Sequence, residues 1–131
     1  MIVIDASAMV EALIGRDVDA ELVDLLAGDV AAPHLLDIEV YSVLRGLELG
    51  GKVIPEVADQ ARSDFRDLVI ARYAAAPFAD QIWARRHEVT SYDAWYLAVA
   101  QTLEATLCTC DARLAKAAAR GVSVRVFGRS H

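Results

Sequence analysis

The stretch Met1-Ile2-Val3-Ile4-Asp5-Ala6-Ser7-Ala8 joins a short apolar run, an acid and the start of a helical pattern. An uninterrupted apolar run of this length is typical of a strand that is buried on both faces, so we predict a strand over Ile2–Asp5. Apolar residues then recur on one side of a helix predicted over Ala6–Ile14. The stretch therefore predicts a strand-to-helix unit, which is the building block of parallel sheets.

The rest of the chain alternates between strand and helix patterns in the same way. Further strands are predicted over Val30–Ala32, Leu68–Tyr73, Thr106–Cys110 and Val122–Phe127. Further helices are predicted over Val18–Leu26, His34–Leu49, a segment that begins at Pro55, Pro77–His87, Tyr92–Leu103 and Ala112–Ala119. This alternation predicts an α/β fold in which a mostly parallel central sheet of four to five short strands is flanked by helices. Because no linker or repeat interrupts the pattern, we predict a single domain over residues 1–131.

The composition is apolar for a short chain, with 56% hydrophobic residues and a mean hydropathy of +0.32. No apolar run approaches the roughly 18 residues of a membrane helix, so no contact with a membrane is expected. The apolar excess instead predicts an interface with a second copy or a partner, formed by the helices around Leu35–Leu49 and Val57–Ile70. No secretory leader is visible, and the cytoplasm is therefore the expected location.

The chain has two cysteines, Cys108 and Cys110, on one predicted strand. They are too close in sequence for an unstrained disulfide, so we expect free thiols. With only three scattered histidines beside them, a structural zinc site is not expected.

Four acids lie in apolar surroundings: Asp5, Glu39, Asp93 and Asp111. A lone buried carboxylate costs free energy, and four carboxylates gathered together repel one another unless a cation is present. Asp5 and Asp111 follow predicted strands, and the carboxyl ends of parallel strands are where ligands collect. Ser7 and Thr109 supply nearby hydroxyls that can orient a carboxylate. The pattern predicts a site with oxygen ligands only, which suits Mg²⁺ or Mn²⁺.

Each acid also has an ordinary structural explanation. Asp5 and Asp111 each precede a predicted helix, where Asp is a common N-cap residue. Asp93 falls in the first turn of its helix, where the helix dipole favours a negative charge. Glu39 is harder to explain because apolar residues surround it, and the alternative is an exposed Glu39 paired with an arginine.

The formal charge of −6 argues at first against a nucleic-acid partner, since phosphate binding favours basic surfaces. Setting the four acids aside leaves 15 acidic against 13 basic side chains, a net charge of −2. The acidic composition therefore weakens an RNA-binding interpretation without excluding it. Arg85 and Arg86 form a basic patch that suits contacts with RNA phosphates, although basic residues are also common in the last turn of a helix.

Taken together, four stretches resemble the PIN domain family, and more narrowly the VapC-type toxins of bacterial toxin–antitoxin pairs. The stretches are Met1-Ile2-Val3-Ile4-Asp5-Ala6-Ser7-Ala8, Glu39-Val40-Tyr41-Ser42-Val43-Leu44, Thr90-Ser91-Tyr92-Asp93-Ala94-Trp95-Tyr96-Leu97-Ala98 and Leu107-Cys108-Thr109-Cys110-Asp111-Ala112-Arg113-Leu114. Their order and spacing extend the resemblance over nearly the whole chain. Leu114 departs from the pattern, since relatives often have an aromatic residue there, and this concerns packing more than chemistry.

The resemblance implies a compact α/β fold and a magnesium- or manganese-dependent endoribonuclease that hydrolyses phosphodiester bonds of an RNA substrate. It also implies a small antitoxin that blocks the site, and commonly a toxin homodimer. The family's acidic cluster falls on Asp5, Glu39, Asp93 and Asp111, with Ser7 and Thr109 as accessory hydroxyls. Asp5 and Asp93 are expected to bind metal directly, with Asp111 completing the site and Glu39 as ligand or general base. Whether one or two ions bind is left open.

Other classes of function match the sequence less well. A haloacid-dehalogenase-like phosphatase carries a second Asp two residues after its strand-end Asp, and here that position is Ser7. A response-regulator receiver needs an N-terminal acidic pair and a late strand-end lysine, and neither is in place. Two alternatives stay open: an RNA-processing nuclease unconnected to toxicity, and a catalytically silent PIN-like module that binds RNA or protein.

Overall fold

The computed structural model describes residues 1–118 and 121–131 of the chain. Its strands are β1 (Ile2–Ile4), β2 (Val30–Pro33), β3 (Ala71–Tyr73), β4 (Thr106–Thr109) and β5 (Val124–Val126). They form one sheet in the order β3-β2-β1-β4-β5, and each pairing between neighbours is parallel. The predicted α/β class is confirmed, and the sheet that was expected to be mostly parallel is parallel throughout the described residues.

Helices connect these strands. They are α1 (Ala6–Ile14), α2 (Ala20–Leu26), α3 (Leu35–Leu49), α4 (Pro55–Asp67), α5 (Ala79–Ala84), α6 (Ser91–Leu103) and α7 (Ala112–Ala117), and a 3₁₀ turn over Ala76–Phe78 precedes α5. Pro55 is the first residue of α4, where its fixed φ suits a helix and its missing N–H is not needed.

The helices cover both faces of the sheet. Because side chains alternate along a strand, Ile2 and Ile4 of β1 face one side and Val3 faces the other. Ile2 and Ile4 belong to a core with residues of α1, α2, α3 and α4, whereas Val3 belongs to a core with residues of α6 and α7. Burial on both faces explains why the central strand is an uninterrupted apolar run.

The order of the strands reverses beside β1. The chain first moves outward through β2 and β3, and then returns to place β4 and β5 on the other side of β1. Ile4 lies opposite Cys108, so the residues that follow β1 and β4 emerge together at one edge of the sheet. In an open parallel sheet the crevice at such a switch point is where ligands bind. Asp5 and Asp111 both follow strands at this point.

The predicted helix over Pro77–His87 is divided, since the 3₁₀ turn is followed by α5, which ends at Ala84. The backbone N–H and the guanidinium of Arg86 both donate hydrogen bonds to the carbonyl of Trp83, at 3.2 and 2.9 Å. The guanidinium also lies 5.0 Å from the centre of the Trp83 ring. The backbone N–H groups of Arg85 and Arg86 bond to carbonyls three residues earlier, so the α-helical pattern ends at Ala84 and Arg86 lies outside a helix, where its side chain satisfies a terminal carbonyl.

Several predicted boundaries were too wide. The strand predicted over Leu68–Tyr73 is reduced to β3, because α4 continues to Asp67 and Leu68 caps it. The predicted end of the last helix at Ala119 lies outside the described residues. Cys108 and Cys110 are free thiols as predicted, and burial raises the pKa of Cys108 to about 11. Across the part of the chain that the structure describes, no helix combines the length and apolar character needed to cross a membrane.

Leu97 of α6 is fully buried in the core around Val3. Replacing Leu97 by Ala should lower the free energy of unfolding by about 2–5 kcal/mol, because the cavity cannot close completely. The control is Leu49→Ala on α3, where the side chain is 66% exposed and the loss should be below about 1 kcal/mol. Urea denaturation compares the two variants, and similar losses for both would contradict the placement of α6.

Candidate active site

Asp5 follows β1 and its carboxylate is held by three hydrogen bonds. The hydroxyl of Ser7 donates to Oδ1 at 2.6 Å, the backbone N–H of Ala8 donates to the same oxygen at 3.0 Å, and the hydroxyl of Thr109 donates to Oδ2. The residue is 9% exposed. Burial raises the pKa of Asp5, and the three hydrogen bonds act in the opposite direction. A carboxylate has about four acceptor positions, so this one keeps room for a further partner.

The hydroxyls of Ser7 and Thr109 tie Asp5 to the end of β4. The Ser7 hydroxyl accepts a hydrogen bond from the backbone N–H of Cys110 at 2.8 Å, and the Thr109 hydroxyl accepts one from the backbone N–H of Asp111 at 3.0 Å. Each hydroxyl therefore accepts from the backbone of one strand end and donates to the carboxylate at the other. This arrangement fixes both the rotamer of Asp5 and the separation of the two strand ends.

Glu39 reaches the site from α3, where its side chain is half-buried. The hydroxyl of Tyr96, a buried residue of α6, donates a hydrogen bond to Oε1 of Glu39 at 2.7 Å. Burial raises the pKa of Glu39, and the negative charges of Asp5 and Asp93 raise it further. Glu39 is therefore not the exposed, arginine-paired residue that was considered as an alternative.

Asp93 lies in the first turn of α6, as the structural explanation expected. The helix cap is Thr90, whose hydroxyl accepts a hydrogen bond from the backbone N–H of Asp93 at 3.2 Å. Burial raises the pKa of Asp93, and the charges of Asp111 and Asp5 add to this effect. The electrostatic coupling indicates that the three aspartates share one region of the molecule.

Asp111 is the N-cap of α7 and accepts a hydrogen bond from the backbone N–H of Arg113 at 2.9 Å. The guanidinium of Arg113 also lies 3.4 Å from Oδ1 of Asp111. Burial raises the pKa of Asp111, but the hydrogen bonds and positive charge of Arg113 outweigh it, and the pKa is lowered. Asp5 is likewise an N-cap, of α1, so capping and a place at the strand ends coincide in both residues.

The four acids open onto one cavity of about 260 Å³. Its lining includes Asp5, Ser7, Glu39, Asp93, Tyr96, Asp111 and Arg129. A larger groove of about 590 Å³ shares Asp93 and Asp111 with this cavity, and it adds the basic side chains of Arg86 and Arg113 and the acidic side chain of Glu88. We call these two regions the acid cavity and the basic groove. Because the two regions share Asp93 and Asp111, an extended polymer bound in the basic groove would reach the acid cavity.

The acid cavity fits a hard divalent cation in the chemistry of its donors, which are carboxylates and hydroxyls without a thiolate or imidazole. Within residues 1–118 and 121–131, however, no three acidic, cysteine or histidine side chains are arranged as a ready metal site. The hydrogen bonds explain this, because Asp5 faces Ser7 and Thr109 while Asp111 faces Arg113. The structure therefore shows the donors in one place and not a finished coordination shell.

Arg85 and Arg86, predicted together as phosphate contacts, lie in different places. Arg86 faces the basic groove, whereas Arg85 lies in a separate cavity, where its guanidinium is 3.5 Å from the side-chain oxygen of Gln101. Sequence reasoning missed Arg113, Arg129 and Tyr96 as residues of this site. Tyr96 lies three residues after Asp93, a spacing that puts both on one side of a helix and that pointed toward the site.

A protein-family model for the PIN domain matches residues 2–120. The chain belongs to the PIN domain family. The chain is 41% identical to Ribonuclease VapC1 from Mycobacterium tuberculosis over 118 residues. The aligned part is 88% of this chain and 89% of that protein. The family and the resemblance to VapC-type proteins that were predicted from the sequence are confirmed.

Solved structures agree with this fold. PAE2754 from Pyrobaculum aerophilum has a TM-score of 0.67 at 21% identity, covering 93% of this chain and 81% of that one. VapC20 from Mycobacterium tuberculosis, described as a sarcin-ricin loop cleaving toxin, has a TM-score of 0.66 at 19% identity, covering 95% and 99%. At these identities the likeness shows the PIN fold.

The raised pKa of Asp93 predicts how stability depends on pH. The folded state holds the proton on Asp93 more tightly than the unfolded state, whose pKa is near 3.8, so the ionised group destabilises the fold above the folded-state pKa. In metal-free buffer Asp93→Asn should therefore melt about 2–5 °C above wild type at pH 7. The difference should vanish as the pH falls toward 4.

Thermal melts in EDTA across this range measure the effect. Asp24→Asn is the control, because Asp24 is an exposed acid on α2 outside the acid cavity. A lower melting temperature for Asp93→Asn at every pH would mean that Asp93 stabilises the fold, against the assignment to a repulsive cluster.

Proposed function

We propose that this protein is a metal-dependent endoribonuclease that acts as the toxin of a bacterial type II toxin–antitoxin pair. The observation that carries the proposal is the acid cavity, where four carboxylates from different elements meet at the switch point of a parallel sheet. Membership of the PIN domain family and 41% identity to Ribonuclease VapC1 support the same nuclease activity. The substrate class is RNA, and the bond broken is a phosphodiester.

Mg²⁺ or Mn²⁺ is the proposed cofactor, with Asp5, Asp93 and Asp111 as its ligands and Glu39 as ligand or base. When bound, the ion would supply Lewis-acid activation of water and stabilise negative charge on the phosphate. The raised pKa values of Asp5, Glu39 and Asp93 support this, because like charges crowded in a half-buried cavity favour a cation. For Asp111 to bind the ion as well, its contact with the guanidinium of Arg113 would have to break.

Glu39 is suited to hold a proton during the reaction. Tyr96 occupies Oε1 of Glu39, which leaves Oε2 as the free acceptor. A general base works best when its pKa approaches the working pH, and burial together with the neighbouring acids moves the pKa of Glu39 upward in that direction. Tyr96 fixes the orientation of the carboxylate and takes no part in bond breaking.

The basic groove is the proposed path of the RNA strand. Arg86 and Arg113 lie along it, and guanidinium groups suit phosphates because they donate two parallel hydrogen bonds. Asp93 and Asp111 at the junction with the acid cavity would then lie beside the phosphate that is cleaved. Arg85, which lines a different cavity, is not part of this path.

We also propose that the exposed apolar side of α3 and α4 binds the antitoxin or a second copy of the toxin. Ile38 is 63% exposed, and Tyr41, Val43 and Val57 are also exposed. Val57 of α4 lies outside the core, while its neighbour Ala58 is buried. Because Val43 also lines the acid cavity, a partner seated on α3 would lie against the site and obstruct RNA.

The activity is tested by replacing Asp5, Asp93 and Asp111 singly with Asn. If these acids bind metal, cleavage of a ribosomal RNA preparation should fall by at least about a hundredfold, since one ligand charge is lost in each. EDTA should abolish wild-type cleavage and Mn²⁺ should restore it. Added Mn²⁺ should also raise the wild-type melting temperature more than those of the variants.

The matched control is Asp19→Asn, because Asp19 caps α2 through a 2.8 Å hydrogen bond from Glu21 and lies away from the acid cavity. Asn is nearly as good a cap as Asp, so this variant should cleave normally. Wild-type cleavage by the three Asn variants would show that Asp5, Asp93 and Asp111 are caps only. Cleavage that persists in EDTA would refute metal dependence.

Replacing Ile38 by Asp should weaken the proposed partner contact, because it places a charge in an apolar interface. The measurements are light scattering of the purified protein at high micromolar concentration and a pull-down for a bound partner. Val23→Asp on α2 is the control, since Val23 is 52% exposed and lies outside this surface. A wild-type protein that stays monomeric and gains no partner in the pull-down would contradict the proposal.

A further inference from the structure

The segment Gly128–His131, which follows β5, is fastened to the end of α1. The backbone N–H of Ser130 donates to Oε1 of Glu11 at 2.6 Å, and the Ser130 hydroxyl donates to Oε2. Nδ1 of His131 lies 3.1 Å from Oε1 of the same carboxylate. The backbone N–H of Arg16 donates to the carbonyl of Ser130 at 3.2 Å. We call this segment the strap and Glu11 its anchor.

The anchor is a built site and not a surface contact. Glu11 is 1% exposed, which is unusual for an acid and requires that its hydrogen bonds be satisfied. Burial raises the pKa of Glu11, but the hydrogen bonds from Ser130 and His131 outweigh it, and the pKa is lowered. A side chain at Gly15 would overlap the Glu11 carboxylate, so glycine is required where the loop passes over it.

The strap carries Arg129 to the acid cavity. Arg129 lines this cavity together with Asp5, Glu39, Asp93 and Asp111, and its charge also acts on the thiol of Cys110. Arg113 lies beside Asp111, which lines both the acid cavity and the basic groove. The acids therefore have one arginine on the groove side and another on the strap side.

The charge of the acid cavity creates a difficulty for a polyanionic substrate. A phosphate that approaches four carboxylates is repelled unless positive charge lies nearby, and the effect is large where water is partly excluded. A guanidinium held at the rim of the cavity would offset this repulsion and donate hydrogen bonds to a phosphate. An arginine on a freely moving segment would lose conformational entropy on binding, whereas one on an anchored strap is already in place.

We propose that Arg129 binds a backbone phosphate of the RNA substrate next to the acid cavity, and that Glu11 is a positioning residue that holds Arg129 there through Ser130 and His131. The proposal rests on the proposed ribonuclease function, because it names a phosphate contact for that same site. Arg129 would add a phosphate contact at the acid cavity to those of Arg86 and Arg113 in the basic groove, so the strand would be held in both regions.

The test measures binding separately from cleavage. A fluorescein-labelled single-stranded RNA 12-mer of mixed sequence is titrated by anisotropy into protein that carries Asp93→Asn, which prevents turnover. Adding Arg129→Gln should weaken binding roughly tenfold and reduce the slope of log Kd against log salt by about 0.7, as expected for one lost phosphate contact on a single strand. Arg129→Lys should restore part of the affinity.

Arg66→Gln is the matched control, because Arg66 is an exposed arginine on α4 that lines neither the acid cavity nor the basic groove. It removes the same charge and should change the RNA affinity less than twofold. Equal affinities for the Arg129→Gln and Arg66→Gln proteins, or no measurable RNA binding before Arg129 is changed, would overturn the proposal.

The role of the anchor is tested by Glu11→Gln and, because a buried change can prevent folding, also by Ser130→Ala. Each should weaken RNA binding while Arg129 is present and have no further effect once Arg129→Gln is in place, since residues that act through one contact are not additive. Additive losses would indicate a general structural role and overturn the assignment of Glu11.

A failure of the proposal for Arg129 can be distinguished from a failure of the proposed ribonuclease function. In otherwise unmodified protein, Arg129→Gln should raise the KM for RNA more than it lowers kcat, because the phosphate that Arg129 contacts is not the one that is cleaved. If the unmodified protein does not cleave RNA, the proposed function fails, and the binding experiments still decide whether Arg129 contacts a phosphate.

Discussion

The site depends on a carboxylate held almost out of water at the end of the central strand. Asp5 is desolvated because β1 is buried on both faces, and it stays an acceptor because Ser7, Ala8 and Thr109 donate to it. Those donors exist only while β1 and β4 are neighbours in the correct register. The order of strands is therefore required by the chemistry of one residue as well as by packing.

The same atoms serve stability and function at this edge of the sheet. Asp5 and Asp111 cap α1 and α7, which lowers the free energy of the fold, while their proximity to Asp93 raises it by repulsion. Asp5 and Asp111 can be helix caps and members of the acidic cluster at the same time. A helix that begins directly after a strand places its cap residue at the carboxyl end of that strand, beside the crevice. The structural explanations for these acids were correct and did not compete with the functional one.

The sequence alone predicted the features that local residue pattern and strand topology determine. The apolar run of β1, the helix that follows it and the acids at strand ends are local signals, and parallel alternation brings the strand ends together. The sequence did not predict contacts between residues that are far apart in the chain. Nothing around Glu11 indicates that Ser130 will cover it, and nothing around Arg129 indicates that it will face the acids. The early end of α5, where the side chain of Arg86 turns back to Trp83, likewise had no signal in the sequence pattern.

The net charge of the chain says little about its partner, because the sign of the local field depends on where charges lie. The excess acidity of the sequence is concentrated in part around one cavity, and the cations that matter stand at its edges: Arg86 and Arg113 along the groove, Arg129 on the strap. A phosphate at the rim lies closer to these guanidinium groups than a charge averaged over the whole surface implies. Arg86 and Arg113 share the groove with Glu88, Asp93 and Asp111, so an acidic protein can offer guanidinium groups to a phosphate even where acids line the same surface. The raised pKa values of Asp5, Glu39 and Asp93 show that burial disfavours the ionised forms of these acids, and that repulsion between neighbouring acids adds to this at Glu39 and Asp93.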